Sequence, residues 1–113
     1  MSKIKSLLIE PSERKDKRLK AIYTFDNGKT KTINFGMKGS KGTYYDIKDS
    51  NKKKAYISRH IVNENWSKEG ILTAGFLSGW VLWYSDDIKD VYNKLVNMLG
   101  TKEIFLDIPK YVL

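Results

Sequence analysis

The chain has no cysteine, a single histidine (His60) and two prolines. Without cysteine there is no disulfide, no thiolate metal site and no thiol nucleophile. One imidazole excludes a His-rich metal site or a multi-histidine nuclease centre and leaves metal binding to carboxylates, which suit hard cations. No carboxylate group has the spacing of a magnesium nuclease: Asp107 and Lys110 form an isolated D-x-x-K, and Asp86-Asp87 open a helix. The run Gly70 to Tyr84 carries no charge but covers 15 residues, several of them Gly or Ser. A membrane helix needs about 20 apolar residues, so no span is expected. The start, MSKIKSLLIEPS, lacks the apolar stretch of a secretory signal, and a non-secreted protein is expected.

What is present is positive charge. The 113 residues carry a net charge of +8, unevenly spread. Residues 1–60 hold 16 Lys/Arg against 6 Asp/Glu, whereas residues 61–113 hold 5 against 7. Such asymmetry draws polyanions to the first half of the chain. It is equally the mark of a lysine-rich solvated surface. Apolar residues make up 41% and charged residues 30%, ordinary values for one folded domain.

Periodicity predicts a single α+β domain over residues 1–113. An antiparallel β-meander of about three strands (1–36) precedes a Gly/Lys loop (37–48). About three helices follow (49–100), then an ordered C-terminal tail (101–113), read as a short strand or extended clamp. Asn27-Gly28 is the signal of a two-residue type I′ hairpin turn. Closing it at Asp26 and Lys29 sets Ile22 opposite Ile33. Asp49 or Ser50 can cap a helix running to Trp66, with Ile57/Ile61 and Val62/Trp66 as i, i+4 pairs. Ser85 can cap the last helix, whose Ile88, Val91, Tyr92, Leu95 and Leu99 share one face, and Gly100 ends it.

Four constellations bear on function. In TAGFLSGWVLW, α-helical spacing places Leu72, Phe76, Trp80 and Trp83 within an arc of roughly 80°. Gly75, Ser78 and Gly79 lie opposite, where another backbone can approach. The arc fits a core wall, or an aromatic platform for bases or a protein partner. His60 and Glu64 are i, i+4, a spacing for a structural hydrogen-bonded pair or for a carboxylate-oriented general base. In FGMKGSKG, Gly36, Gly39 and Gly42 alternate with Lys38 and Lys41. This suits anions or a plain loop with positive φ, and it matches neither nucleotide fingerprint. Lys52, Lys53 and Lys54 oppose the macrodipole at a helix start. With Lys38, Lys41, Lys48 and Arg59 they can form one phosphate-binding face.

The combined order FG-x-KG, Y-x-x-RH-x-x-x-ENW and TAGF-x-S-x-W-x-LW resembles a family of small uncharacterised proteins encoded by large nucleocytoplasmic DNA viruses of eukaryotes. The matching positions are Phe35, Gly36 and Gly39; then Tyr56, Arg59, His60, Glu64, Asn65 and Trp66; then Thr73 to Phe76, Ser78, Trp80, Leu82 and Trp83. The resemblance implies a viral origin and a virion or host-cytoplasm setting, without a catalytic mechanism. The resulting expectation is a non-enzymatic, cofactor-free basic protein contacting nucleic-acid phosphates sequence-independently. The alternative is a minor capsid or virion-assembly protein that binds viral neighbours through aromatic and C-terminal apolar surfaces such as Tyr111 and Leu113.

Overall fold

The computed structural model describes residues 3–37, 50–60, 66 and 70–108. Strands β1 (Ile4–Pro11), β2 (Lys17–Phe25) and β3 (Thr30–Met37) form the expected antiparallel meander. The β2–β3 turn corrects the expected register by one residue. Gly28 N–H donates to the Phe25 carbonyl (2.9 Å) and Phe25 N–H to the Lys29 carbonyl (2.8 Å). The loop is therefore three residues, Asp26 to Gly28, closed by a left-handed glycine bulge at φ 84°. Ala21 faces Ile33, and Ile22 faces Thr32. A one-residue slip reverses which face a side chain occupies. Here it moves Ile33 to the face that carries Leu19, Ala21 and Tyr23, where apolar surface is buried.

The sheet has a fourth strand, β4 (Ile104–Leu106), so its order is β3-β2-β1-β4. β4 runs parallel to β1, with Leu7, Leu8 and Ile9 facing Ile104, Phe105 and Leu106. The antiparallel meander is thus extended into a mixed sheet. A register shift between Ile4 and Ser6 lets Ile4 join Leu7 and Ile9 at the core. On the other face Phe105, Leu8 and Ile22 align across three strands. Beside that row, Lys20 pairs with Glu10 (3.4 Å) and with Glu13. The hydrogen bond from Lys20 holds the Glu13 carboxyl below its ordinary value.

The helical layer comprises α1 (Ser50–His60), α2 (Ala74–Leu77) running into a π-helical segment (Ser78–Trp83), and α3 (Ile88–Leu99). The continuation of α1 toward Trp66, and the Asp49 cap, lie outside the described residues. Thr73 caps α2, its hydroxyl accepting from Phe76 N–H (3.2 Å). α3 carries its expected apolar face, with Val91 and Leu95 fully buried, and ends at Gly100 in the left-handed region (φ 77°). Its cap is Asp87, which accepts from Lys89 N–H (2.9 Å), rather than Ser85. Buried Ser85 accepts from Asp87 N–H (3.1 Å) and donates to the Asp90 carboxylate (2.7 Å). It braces the cap one step back.

The π-helical segment corrects the α-helical arc expected for the aromatic run. The buried positions are Phe76, Leu77, Val81 and Leu82, two pairs spaced i, i+5. That is the hydrogen-bonding span of a π-helix, whose turn is wider than 3.6 residues. Phe76 stays in the core, Leu72 is exposed, and Trp80 and Trp83 are half-buried at its margin. The core closes where Phe76, Leu77, Val81, Leu82, Val91 and Leu95 meet Leu7, Ile9, Leu19, Tyr23 and Phe35. Each such burial contributes about 1.5–3 kcal/mol. Tyr23 also donates its hydroxyl to the Ile71 carbonyl (2.7 Å), and burial pushes its phenol well above the ordinary tyrosine value.

Candidate functional site

The three consecutive lysines of α1 do not share a face. At 100° per residue they fan over about 200°. Lys53 turns inward and donates to the Tyr84 carbonyl (2.8 Å). Lys54 is exposed on one flank, while Lys52 shares the other with Arg59, two turns along the helix. Lys38, Lys41 and Lys48 lie outside the described residues. The sheet adds a group of cations that pattern reading missed. Asp26 N–H donates to the Lys3 carbonyl (2.9 Å) and Thr101 Oγ1 to the Lys5 carbonyl (2.9 Å). These bonds draw Lys3, Lys5, Lys29, Lys31 and Lys102 to the hairpin end of the sheet, where all five are exposed. Single positions spread over a hundred residues give no local signal of such a cluster.

The aromatic residues do converge. Tyr56 stacks on Trp83 with ring centroids 4.4 Å apart and planes 5° apart, and on His60 at 4.2 Å. Trp66 lies nearly parallel to Tyr56, at 6.2 Å. Its indole N–H donates to the Gly75 carbonyl (3.0 Å), and Trp80 donates to the Trp66 carbonyl (2.8 Å). Gly79 makes room for this arrangement: a Cβ there would stand 2.5 Å from Trp66 Nε1. Gly79 thus admits an indole ring rather than the neighbouring backbone expected, while Gly75 supplies the carbonyl that receives its N–H.

Beside these rings lies a pocket of about 100 Å³, lined also by Lys53, Ile57 and Tyr84. Lys94 of α3 stands over Trp80 (5.0 Å from its centroid) and Tyr84 (5.3 Å), within cation–π range. The pocket is apolar, lined by aromatic rings and flanked by two ammonium groups. Arg59 remains exposed outside it. Of the expected structural motif, Trp66, Trp80 and Trp83 line it and His60 stacks on Tyr56 beside it, while Phe76 belongs to the core.

His60 rests on Tyr56, and its expected partner Glu64 lies outside the described residues. Among the described residues no group of three acidic or imidazole side chains is placed to hold a metal ion, and no helix is long and apolar enough to cross a membrane.

The fold and this pocket define an α+β domain with a mixed sheet under an aromatic helical layer. Residues 7–60, from β1 to the end of α1, are similar to the family of unknown function DUF5754. No curated protein and no solved structure matches the chain. The family match includes Lys53, Tyr56 and Ile57 of the pocket and ends before its three tryptophans.

Proposed function

We propose that this is a non-enzymatic basic binding protein of a large DNA virus that contacts nucleic-acid phosphates. The observation that carries the reading is the state of its cations. Lys3, Lys5, Lys29, Lys31, Lys54 and Arg59 are exposed and form no ion pair among the described residues. Unpaired surface cations cost the fold self-repulsion, and a polyanion relieves it by releasing its counterions. The viral setting is supported by the FG-x-KG, RH-x-x-x-ENW and TAGF-x-S-x-W-x-LW signature.

Fluorescence polarisation with labelled duplex and single strands tests the reading. Affinity should fall log-linearly with salt, and replacing Lys3, Lys5, Lys29 and Lys31 by Gln should flatten that slope. No binding to either strand form at low salt would sink it.

A second reading, a virion-assembly protein, was expected to use Tyr111 and Leu113, which lie outside the described residues; within them it draws on Phe105, 62% exposed beside Leu8 and Ile22 on the outer sheet face. Under that reading, Phe105→Ser weakens capture of a viral protein partner and leaves nucleic-acid affinity unchanged.

A further inference from the structure

The pocket contains all three tryptophans of the chain, together with Tyr56 and Tyr84. We infer that it seats one unpaired base of a single-stranded nucleic acid, whose backbone leaves past Tyr84 over Lys94. The backbone contact rests on the phosphate-binding reading. The base site and the strand state go beyond it.

Size decides the first point. Pockets for whole small-molecule cofactors run to about 300–1,000 Å³, whereas this one is about 100 Å³. It takes one planar ring and not a dinucleotide.

The walls decide the second. The Trp66 and Trp80 indole N–H groups are both engaged by backbone carbonyls. What they present to a guest is therefore π surface without a directional donor, which stacks any base and reads none.

Charge decides the third. Aromatic walls alone would also suit a quaternary ammonium guest. Lys53 in the lining and Lys94 over Trp80 repel a cation and attract a phosphate.

The surface beyond the rim continues the path. A shallow depression lined by Asp90, Asn93, Lys94 and Asn97 shares Tyr84 with the pocket. The two asparagines offer carboxamides to a sugar. Asp90, which accepts from Ser85 Oγ (2.7 Å), turns phosphate away from its own side and toward Lys94. A paired base cannot leave its stack to enter the pocket without unpairing, so the site selects single strands.

Tryptophan emission reads the pocket directly, because every indole of the chain lines it. A short oligothymidylate, an abasic strand of equal length and a duplex are titrated at low salt. Polarisation of the same labelled strands is followed in parallel. The oligothymidylate should quench emission, while the abasic strand and the duplex bind without quenching. Equal quenching by the abasic strand, or none by a single strand that polarisation shows bound, overturns the base site and leaves the phosphate reading standing. If polarisation shows no strand bound, the phosphate reading fails and thymidine monophosphate decides the pocket alone: quenching keeps it and its absence ends it. Trp83→Ala should weaken single-strand binding about fivefold to a hundredfold with duplex affinity unchanged; equal loss for both forms overturns the site. Lys94→Gln, at a half-buried surface position, should lower the single-strand salt slope by about one unit or less; an unchanged slope removes Lys94 from the path.

Discussion

Gly79 is the seat of the Trp66 indole: a methyl group on its Cα would lie within 2.5–2.9 Å of three atoms of that ring. Gly→Ala in a helix ordinarily stabilises by about 1 kcal/mol. Here the sign should reverse. Overpacking costs about 1–3 kcal/mol, so Gly79→Ala should lower the urea midpoint and shift tryptophan emission as the ring is displaced. A more stable variant with unchanged emission would contradict the seat.

Gly36 and Gly28 separate backbone strain from crowding. Both have positive φ, 78° and 84°. A Cβ at Gly28 meets nothing within 4 Å, whereas at Gly36 it lies 2.9 Å from Leu82 Cδ1 and 3.4 Å from Arg18 Cβ. Gly28→Ala should cost the left-handed penalty alone, about 1–2 kcal/mol. Gly36→Ala should cost that and a further repacking term of about 1–3 kcal/mol, a difference resolved by chemical denaturation.

Alkaline stability should depend on Tyr23. Burial raises its phenol above the ordinary tyrosine value, so the neutral form belongs to the fold. Its contribution is complete below the unfolded value of about 10 and is lost as pH rises toward the higher folded value. Circular dichroism against pH should show unfolding setting in above about pH 10. Tyr23→Phe should delay that onset, while costing about 1–2 kcal/mol at neutral pH because the Ile71 carbonyl loses its donor.

The parallel pairing of β4 is tested by two adjacent residues. Ile104 is 6% exposed and Phe105 62% exposed. Ile104→Ala should destabilise by about 2–5 kcal/mol, and Phe105→Ala by no more than about 0.5 kcal/mol. The reverse order would place the strand with its faces exchanged.

Much of this was legible residue by residue. The Asn27-Gly28 pair announced the hairpin, and Ile88 to Leu99 announced α3, because turn chemistry and helical periodicity are local. The register is not legible to one residue, because two turn types share the same dipeptide and only the packing of Ile33 against the core separates them. The cap is ambiguous by two residues, because Ser85 and Asp87 are both competent caps; their bonds to Asp90 and Lys89 N–H assign the roles. The aromatic arc is not legible either, because α-helical spacing cannot foresee a widened turn.

By itself, the sequence determined the class of fold, the absence of thiol chemistry, and an excess of cations in the first sixty residues, all properties of residue type or near neighbours. Only the tertiary structure decided where those residues act. It added β4 beside β1, gathered Lys3, Lys5, Lys29, Lys31 and Lys102 at one end of the sheet, and turned Trp80 and Trp83 out of the core toward Tyr56 and Trp66. The reason is physical: each arrangement depends on contacts between residues far apart in the chain. Whether the helix widens at Ser78 depends on what Phe76, Leu77, Val81 and Leu82 find to pack against.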